Sequence, residues 1–184
     1  MNRILIAALL GGSTMFLAGT FTHVVLPIGE AGIKQLPNEE PVLAALRSSV
    51  TEPGLYFFPG MPSGAAGEAQ KKQWEERMRQ GPTGIMVYQT KGSAAMEPSQ
   101  LAGEFISNVL VALVAALLLA QVRLSSFGGR VGFVTALGGV AWLAISVSLW
   151  NWYRFPATYT LAELVHELFG FAMTGLVLAW RIKP

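Results

Sequence analysis

The chain has 184 residues, of which 52% are hydrophobic and only 13% are charged, with a formal net charge of +2. This composition is too apolar for an ordinary soluble domain, and we expect a membrane protein that meets the lipid bilayer and no nucleic acid. Cysteine is absent. Disulfides, thiolate metal sites and cysteine nucleophiles are therefore excluded.

Four apolar runs are close to the roughly 20 residues that a helix needs to cross the hydrocarbon core. The first occupies segment 1–29, and the others lie at about 103–122, 131–150 and 161–180. The first run also has the basic start of a secretory signal, but its apolar part continues to Pro27 and is long enough to span. We predict an uncleaved anchor and a mainly α fold, a bundle of four transmembrane helices in which 101–184 supplies helices 2 to 4.

Residues 30–100 hold most of the charge, which predicts a small water-exposed α+β insertion between the first two membrane helices. Asn38 is a favourable cap for a short helix. The runs EPGLYFFPG and GPTGIMVYQTKG predict two short strands bounded by turn residues. A domain of this size has a thin core, so we expect it to rest on the membrane or on a partner.

Between the two strands, the run SGAAGEAQKKQWEERMRQG predicts a charged helix. Ser63 is its expected cap and Gly81 its expected end. Its acidic and basic residues nearly balance, which is typical of a solvated face and not of a docking surface. Trp74 is expected to hold this helix against the strands.

Basic residues indicate the orientation, because short loops rich in arginine and lysine stay in the cytoplasm. One side carries most of them, and the connection between helices 3 and 4 carries only Arg154. The residues on the basic side are Arg3, Arg123, Arg130, Arg181 and Lys183. We therefore predict cytoplasmic termini, a periplasmic insertion, and an interfacial aromatic belt in LWNWYRFPATYT.

Each predicted membrane helix carries a stripe of small or polar residues that permits close packing against a neighbour. The four stripes are Gly12, Gly19 and His23; Glu104, Asn108 and Ala115; Gly132, Ala136, Gly139 and Ser146; and Glu163, Glu167, Gly170 and Thr174. A compact bundle follows from this pattern.

Ionisable residues in the predicted helices gather at one level, since helix 1 ends outside and helices 2 and 4 begin there. The candidates for a metal or functional site are His166, Glu167, Glu163, Glu104 and His23. Such groups within a membrane helix usually face the interior or a water-filled cavity and are candidates for function. No catalytic residue is assigned.

Three of these candidates also have a purely structural interpretation. Thr160 followed by Glu163 is typical of a capping box at a helix start. Glu104 can complement the dipole near the start of helix 2, and His23 can reach headgroups or water. His166 and Glu167 come after the cap, so they are the residues for which a function is most readily argued.

Three functional classes remain open. The first is a non-enzymatic subunit, scaffold or envelope factor with an outer interaction domain, which could also form a homo-oligomer. The second is a metal or haem redox protein, because Glu163 and His166 have the Glu-x-x-His spacing of carboxylate metal bundles and His23 with His166 could be axial ligands. The third is a small transporter or proton relay through Glu104, His166 and Glu167.

Three runs are similar to those of a known family: THVVLPIGEAGIKQLPNEEPVLAAL, EPGLYFFPG and SLWNWYRFP with its following helix. The chain resembles a family of small bacterial inner-membrane proteins to which no activity is assigned. The resemblance covers nearly the whole chain and contains no catalytic motif. It implies a bacterial inner-membrane location and adds no function.

Overall fold

The computed structural model describes residues 2–64 and 66–183, so Met1, Ala65 and Pro184 lie outside the description. It is mostly helical, at 70%. The elements in chain order are α1 (Asn2–Thr20), α2 (Glu39–Ser49), β1 (Gly54–Phe58), α3 (Glu68–Gln80), β2 (Gly84–Tyr88), α4 (Pro98–Gln121), α5 (Phe127–Tyr153) and α6 (Ala157–Arg181). They form two compact units, one from Lys34–Ala94 and one from the residues on either side of it.

The unit on either side of Lys34–Ala94, called the first unit below, contains four helices that are long and apolar enough to cross a membrane. They are α1 with its continuation to Val25, α4, α5 and α6. The four long helices of the sequence prediction are confirmed, and three of them start earlier than predicted. At the start of α4, the Glu97 main-chain N–H donates to Gln100 Oε1 at 3.0 Å. At the start of α5, Ser126 Oγ accepts from the Gly129 main-chain N–H at 3.0 Å. These caps satisfy amide groups that a helix start leaves unpaired.

The capping box predicted for α6 is wrong. The helix begins at Ala157, directly after Pro156, so Thr160 already lies inside its first turns. The Thr160 hydroxyl donates back to Pro156 O at 3.2 Å and caps no free amide. Glu163 therefore lies in the second turn, where it has no role in capping.

Within this unit, α1 packs against both α4 and α6, α5 packs against α6, and α4 touches α5 only slightly. Glycine allows the closest approaches. A Cβ on Gly12 would overlap the main chain of Val109 in α4, and a Cβ on Gly138 would lie 2.9 Å from Glu167 O. Of the stripe predicted for α5, Gly132 faces open space, whereas Ser146 is buried. Gly138, one residue before the predicted Gly139, makes the closest contact.

Arg130 is buried, with 8% of its surface exposed, and its guanidinium joins two segments. It donates from Nη1 to Leu124 O at 3.0 Å and to Ser125 O at 2.9 Å. It also donates from Nε and Nη2 to Ala179 O at 3.4 and 3.3 Å. A cation at the carboxyl end of α6 also complements the helix dipole. The sequence marked Arg130 only as a flanking basic residue.

In the second unit, β1 and β2 form an antiparallel pair in which Leu55 lies opposite Val87. Both predicted strands are confirmed. The predicted cap at Ser63 is wrong, because α3 begins after Gly67, and the predicted end at Gly81 is confirmed. Gly81 has a φ of +67°, a conformation that glycine adopts without strain.

Two further expectations for the second unit have clear outcomes. Trp74 contacts the end of β1 as expected, donating from Nε1 to Pro59 O at 3.2 Å. Asn38 does precede α2, but its φ is 53° and its side chain makes no capping hydrogen bond. Asn38 thus supplies a left-handed turn into the helix, a conformation that asparagine tolerates better than most residues.

We expect Arg130→Ala to lower the free energy of unfolding by about 3 kcal/mol, because it leaves carbonyls of the α4–α5 connection without their charged donor. Arg123→Ala is the matched control, since Arg123 is an exposed residue of the same connection. Equilibrium unfolding of the two variants in detergent measures the difference. Equal losses in both would contradict the role given to Arg130.

Candidate functional site

The regular α1 helix changes at Thr20 into a π-helical turn, Phe21–Val25, in which the Leu26 N–H donates to Phe21 O at 3.1 Å. A short 3-10 turn, Ile28–Glu30, follows. A π-helical turn rotates the residues after it relative to an α-helix, and such turns occur frequently at functional sites. Here the turn buries Thr22 and leaves His23 exposed.

Thr22 connects α1 to α6. Its Oγ1 lies 2.7 Å from Nδ1 of His166 and donates to Gly19 O at 3.0 Å. A hydroxyl has one hydrogen, so both contacts are hydrogen bonds when His166 carries its proton on Nδ1. Nδ1 of His23 lies 3.0 Å from the same Gly19 carbonyl. Both rings are therefore held through Nδ1, which leaves Nε2 of each available.

The two histidines contact each other edge to face, with ring centroids 4.7 Å apart and planes at 88°. The 3-10 turn covers the outer ring, since a Cβ on Gly29 would overlap the His23 side chain. His166 is half-buried. The two histidines that the sequence offered as axial ligands are thus in direct ring-to-ring contact.

A cavity of about 240 Å³ lies between α1, α4 and α6. Its apolar wall includes Met15 and Phe171. Its polar wall consists of Glu104, Ser107, Asn108, His166 and Glu167. Glu104 and Ser107 are exposed, and Glu167 is half-buried. Asn108 is buried, with 9% of its surface exposed. Polarity is therefore concentrated on the α4 and α6 sides of the cavity.

The five candidates from the sequence divide into two groups. Glu104, His166 and Glu167 line the cavity, and His23 touches it only through its contact with His166. Glu163 is half-buried one turn before Glu167 and does not line the cavity. The sequence analysis did not identify Thr22 as a site residue, although its position beside His23 was a usable signal.

The described residues include no group of three or more His, Asp or Glu side chains placed to hold a metal ion. The Glu-x-x-His element, Glu163 and His166, therefore has no completing third ligand among them. Haem also fits poorly between the rings, because two axial imidazoles on opposite faces of a macrocycle would place their centroids roughly 6 Å apart, given metal–nitrogen bonds near 2 Å. The observed rings are in edge-to-face contact instead.

Beyond the cavity, the described residues around Gly11 and Thr174 form a closely packed layer. Thr174 is fully buried, and its hydroxyl donates to Gly11 O at 3.4 Å. Leu178 and Ala112 pack around Gly11 at the same level. As the described residues are arranged, a relay through Glu104, His166 and Glu167 ends at this packed layer.

Comparison of the chain with models of protein families, with curated proteins and with solved structures found no match in any of the three. The function is therefore argued from the residues and their geometry.

We expect Thr22→Val to lower the free energy of unfolding by about 1–3 kcal/mol, because the half-buried His166 Nδ1 would lose its partner. It should also shift the ¹⁵N resonances of the His166 ring. Thr20→Val is the control, since the Thr20 hydroxyl bonds only to Phe16 O in its own helix. Unfolding in detergent and NMR of ¹⁵N-histidine protein measure both effects. Unchanged His166 resonances in Thr22→Val would argue against this contact.

Proposed function

We propose that the chain is a non-enzymatic, multi-pass protein of the bacterial inner membrane whose Lys34–Ala94 unit lies in the periplasm and binds a protein partner. Its four long helices form the membrane bundle, and both termini are cytoplasmic. The observation that carries the proposal is the poor burial of the Lys34–Ala94 unit. Among residues 34–64 and 66–94, Pro59 is the one residue that is buried.

A unit with so little burial needs stabilisation from elsewhere. A two-stranded sheet is marginal on its own in water, and small domains are usually stabilised by disulfides, metals or association. Cysteine is absent from the chain. The described part of the unit also contains no metal-binding group of His, Asp or Glu side chains. Association is the remaining source of stability.

The sheet offers a surface for such association. Leu55 and Val87 are cross-strand neighbours, and they are 68% and 74% exposed. A groove of about 530 Å³ on the same unit is lined by α2 and the two strands, with Val42, Phe57 and Ile85 among its apolar residues. Exposed apolar patches mark interaction sites. Each strand of the two-stranded sheet also has an outer edge to which a partner strand can add.

A protein partner is favoured over an anionic lipid surface because the lysines and arginines of this unit nearly balance its glutamates. Attraction to anionic headgroups requires a clear excess of positive charge. A second copy of the chain is one form that the partner can take. The resemblance to bacterial inner-membrane proteins and the excess of basic residues on one side of the helices support the proposed location.

The absence of cysteine makes the topology directly testable. We expect a membrane-impermeant maleimide to label Ser93→Cys in intact spheroplasts, because this position follows β2 on the periplasmic side. We expect Ser125→Cys, between α4 and α5, to be labelled only after the membrane is opened. Both serines are exposed positions of the chain. The reverse labelling pattern would overturn the proposed orientation.

The partner is tested with a photo-crosslinking amino acid placed at Leu55 or Val87 in the full chain in living cells. We expect both positions to give the same protein adduct, because they are neighbours on one surface. The control position is Glu75, an exposed residue of α3. A Leu55→Glu change should abolish the adduct formed from position 87. An adduct of doubled mass identifies a second copy, whereas equal, diffuse labelling from all three positions counts against a specific partner.

A further inference from the structure

Asn108 is one of the buried polar side chains of the four-helix unit. Its amide makes no hydrogen bond to any described residue, although only 9% of its surface is exposed, and it lines the cavity between α1, α4 and α6. Thr22, Arg130 and Thr174 are also buried, and each bonds to a protein atom. Ser146 is buried without such a bond, but it does not line the cavity. No fully enclosed side-chain nitrogen or oxygen among the described residues lacks a partner, so the Asn108 amide is accessible from the cavity and can bond to a group inside it.

Two carboxylates face the same space. Glu104 reaches it from α4 and Glu167 from α6. Neither forms an ion pair with any described lysine, arginine or histidine, and the only ion pair among the described residues joins Lys71 to Glu68 in the other unit. Neither lysine nor arginine lines the cavity. Carboxylates in an apolar helical unit require a counter-charge or a proton.

The cavity therefore presents acceptor oxygens from Glu104, Glu167, Asn108 and Ser107, and its single imidazole already contacts Thr22 through Nδ1. A primary ammonium carries one positive charge and three N–H donors, so it can neutralise one of the two carboxylates and donate to three of these oxygens. Calcium would require six to eight oxygen ligands and is not matched by this set. A quaternary ammonium has the charge and no N–H.

We propose that this cavity binds a primary ammonium group, supplied by an aminolipid headgroup or by a small free amine. The head enters from the α4 side, where Glu104 is exposed, and reaches Glu167 and Asn108 deeper inside. Met15 and Phe171 form the apolar wall against which the attached carbon chain packs. An aminolipid as the ligand requires the proposed membrane location, whereas a free amine as the ligand does not.

The test uses the full chain purified in mild detergent. Binding is measured by native mass spectrometry and by thermal stabilisation with an ethanolamine lipid, with a choline lipid of the same acyl chains, with butylamine and with tetramethylammonium. We expect primary ammonium compounds to bind about tenfold more tightly than their quaternary counterparts, since only the former donate hydrogen bonds to charged acceptors. Tighter binding of the ethanolamine lipid than of butylamine identifies a lipid as the source of the ammonium group. The reverse order identifies a small free amine.

Variants identify the site. Glu104→Gln, Glu167→Gln and Asn108→Leu should each weaken primary ammonium binding by about tenfold, because each removes one charge or acceptor. Glu104 is exposed, so its isosteric change tests the cavity even if a buried variant fails to fold. Glu163→Gln is the matched control, because Glu163 does not line the cavity. Equal binding of ethanolamine and choline lipids, or wild-type affinity in Glu104→Gln, overturns the proposal and leaves water and protons as the occupants.

Discussion

Close approach of main chains at glycine is the contact on which the four-helix unit depends. Gly12 lies against the main chain of Val109, and Gly138 and Gly175 bring α5 and α6 together, so that a Cβ on either would lie 2.9 to 3.1 Å from a carbonyl oxygen of the facing helix. Helices in an apolar medium associate through such packing and through polar contacts, because apolar burial alone gives little preference for a neighbouring helix over lipid. The interhelical bond from Thr174 to Gly11 O forms at this spacing.

The four-helix unit contains two polar regions, and they differ in how completely their side chains are hydrogen-bonded. At Arg130, every contact is made to carbonyls of the chain, and the guanidinium joins the α4–α5 connection to the end of α6. At the cavity, by contrast, Thr22 satisfies the inner nitrogen of His166, while Asn108 and two carboxylates face open space. The bonds of Arg130 stabilise the fold, whereas the polar groups that line the cavity are free to bond a ligand. This contrast directs the search for a ligand to the cavity.

Each of the two units has groups that lack a packing or hydrogen-bond partner. The four-helix unit has a core of alanine, leucine and valine with an apolar outer surface, as expected for helices surrounded by lipid. The unit Lys34–Ala94 has hydrogen-bonded strands and helices but almost no buried side chains, and its sheet exposes Leu55 and Val87. In each unit these groups are neighbours: Leu55 and Val87 on the sheet, and the polar side chains that line the cavity. The exposed apolar side chains of the sheet support the proposed protein partner, and the carboxylates of the cavity support the proposed cationic ligand.

The sequence by itself determined the long apolar helices, the inserted unit, the two strands and the end of α3 at Gly81, because hydrophobic run length, turn residues and glycine conformation act locally. It misplaced the starts of α3 and α6 and part of the packing stripe of α5, since caps at Ser63 and Thr160 compete with nearby alternatives at Gly67 and Pro156. Only the tertiary structure decided that Thr22 reaches His166 and that Asn108 is left without a partner. Those outcomes depend on a π-helical turn and on the axial rotation of neighbouring helices, which no single segment of sequence specifies.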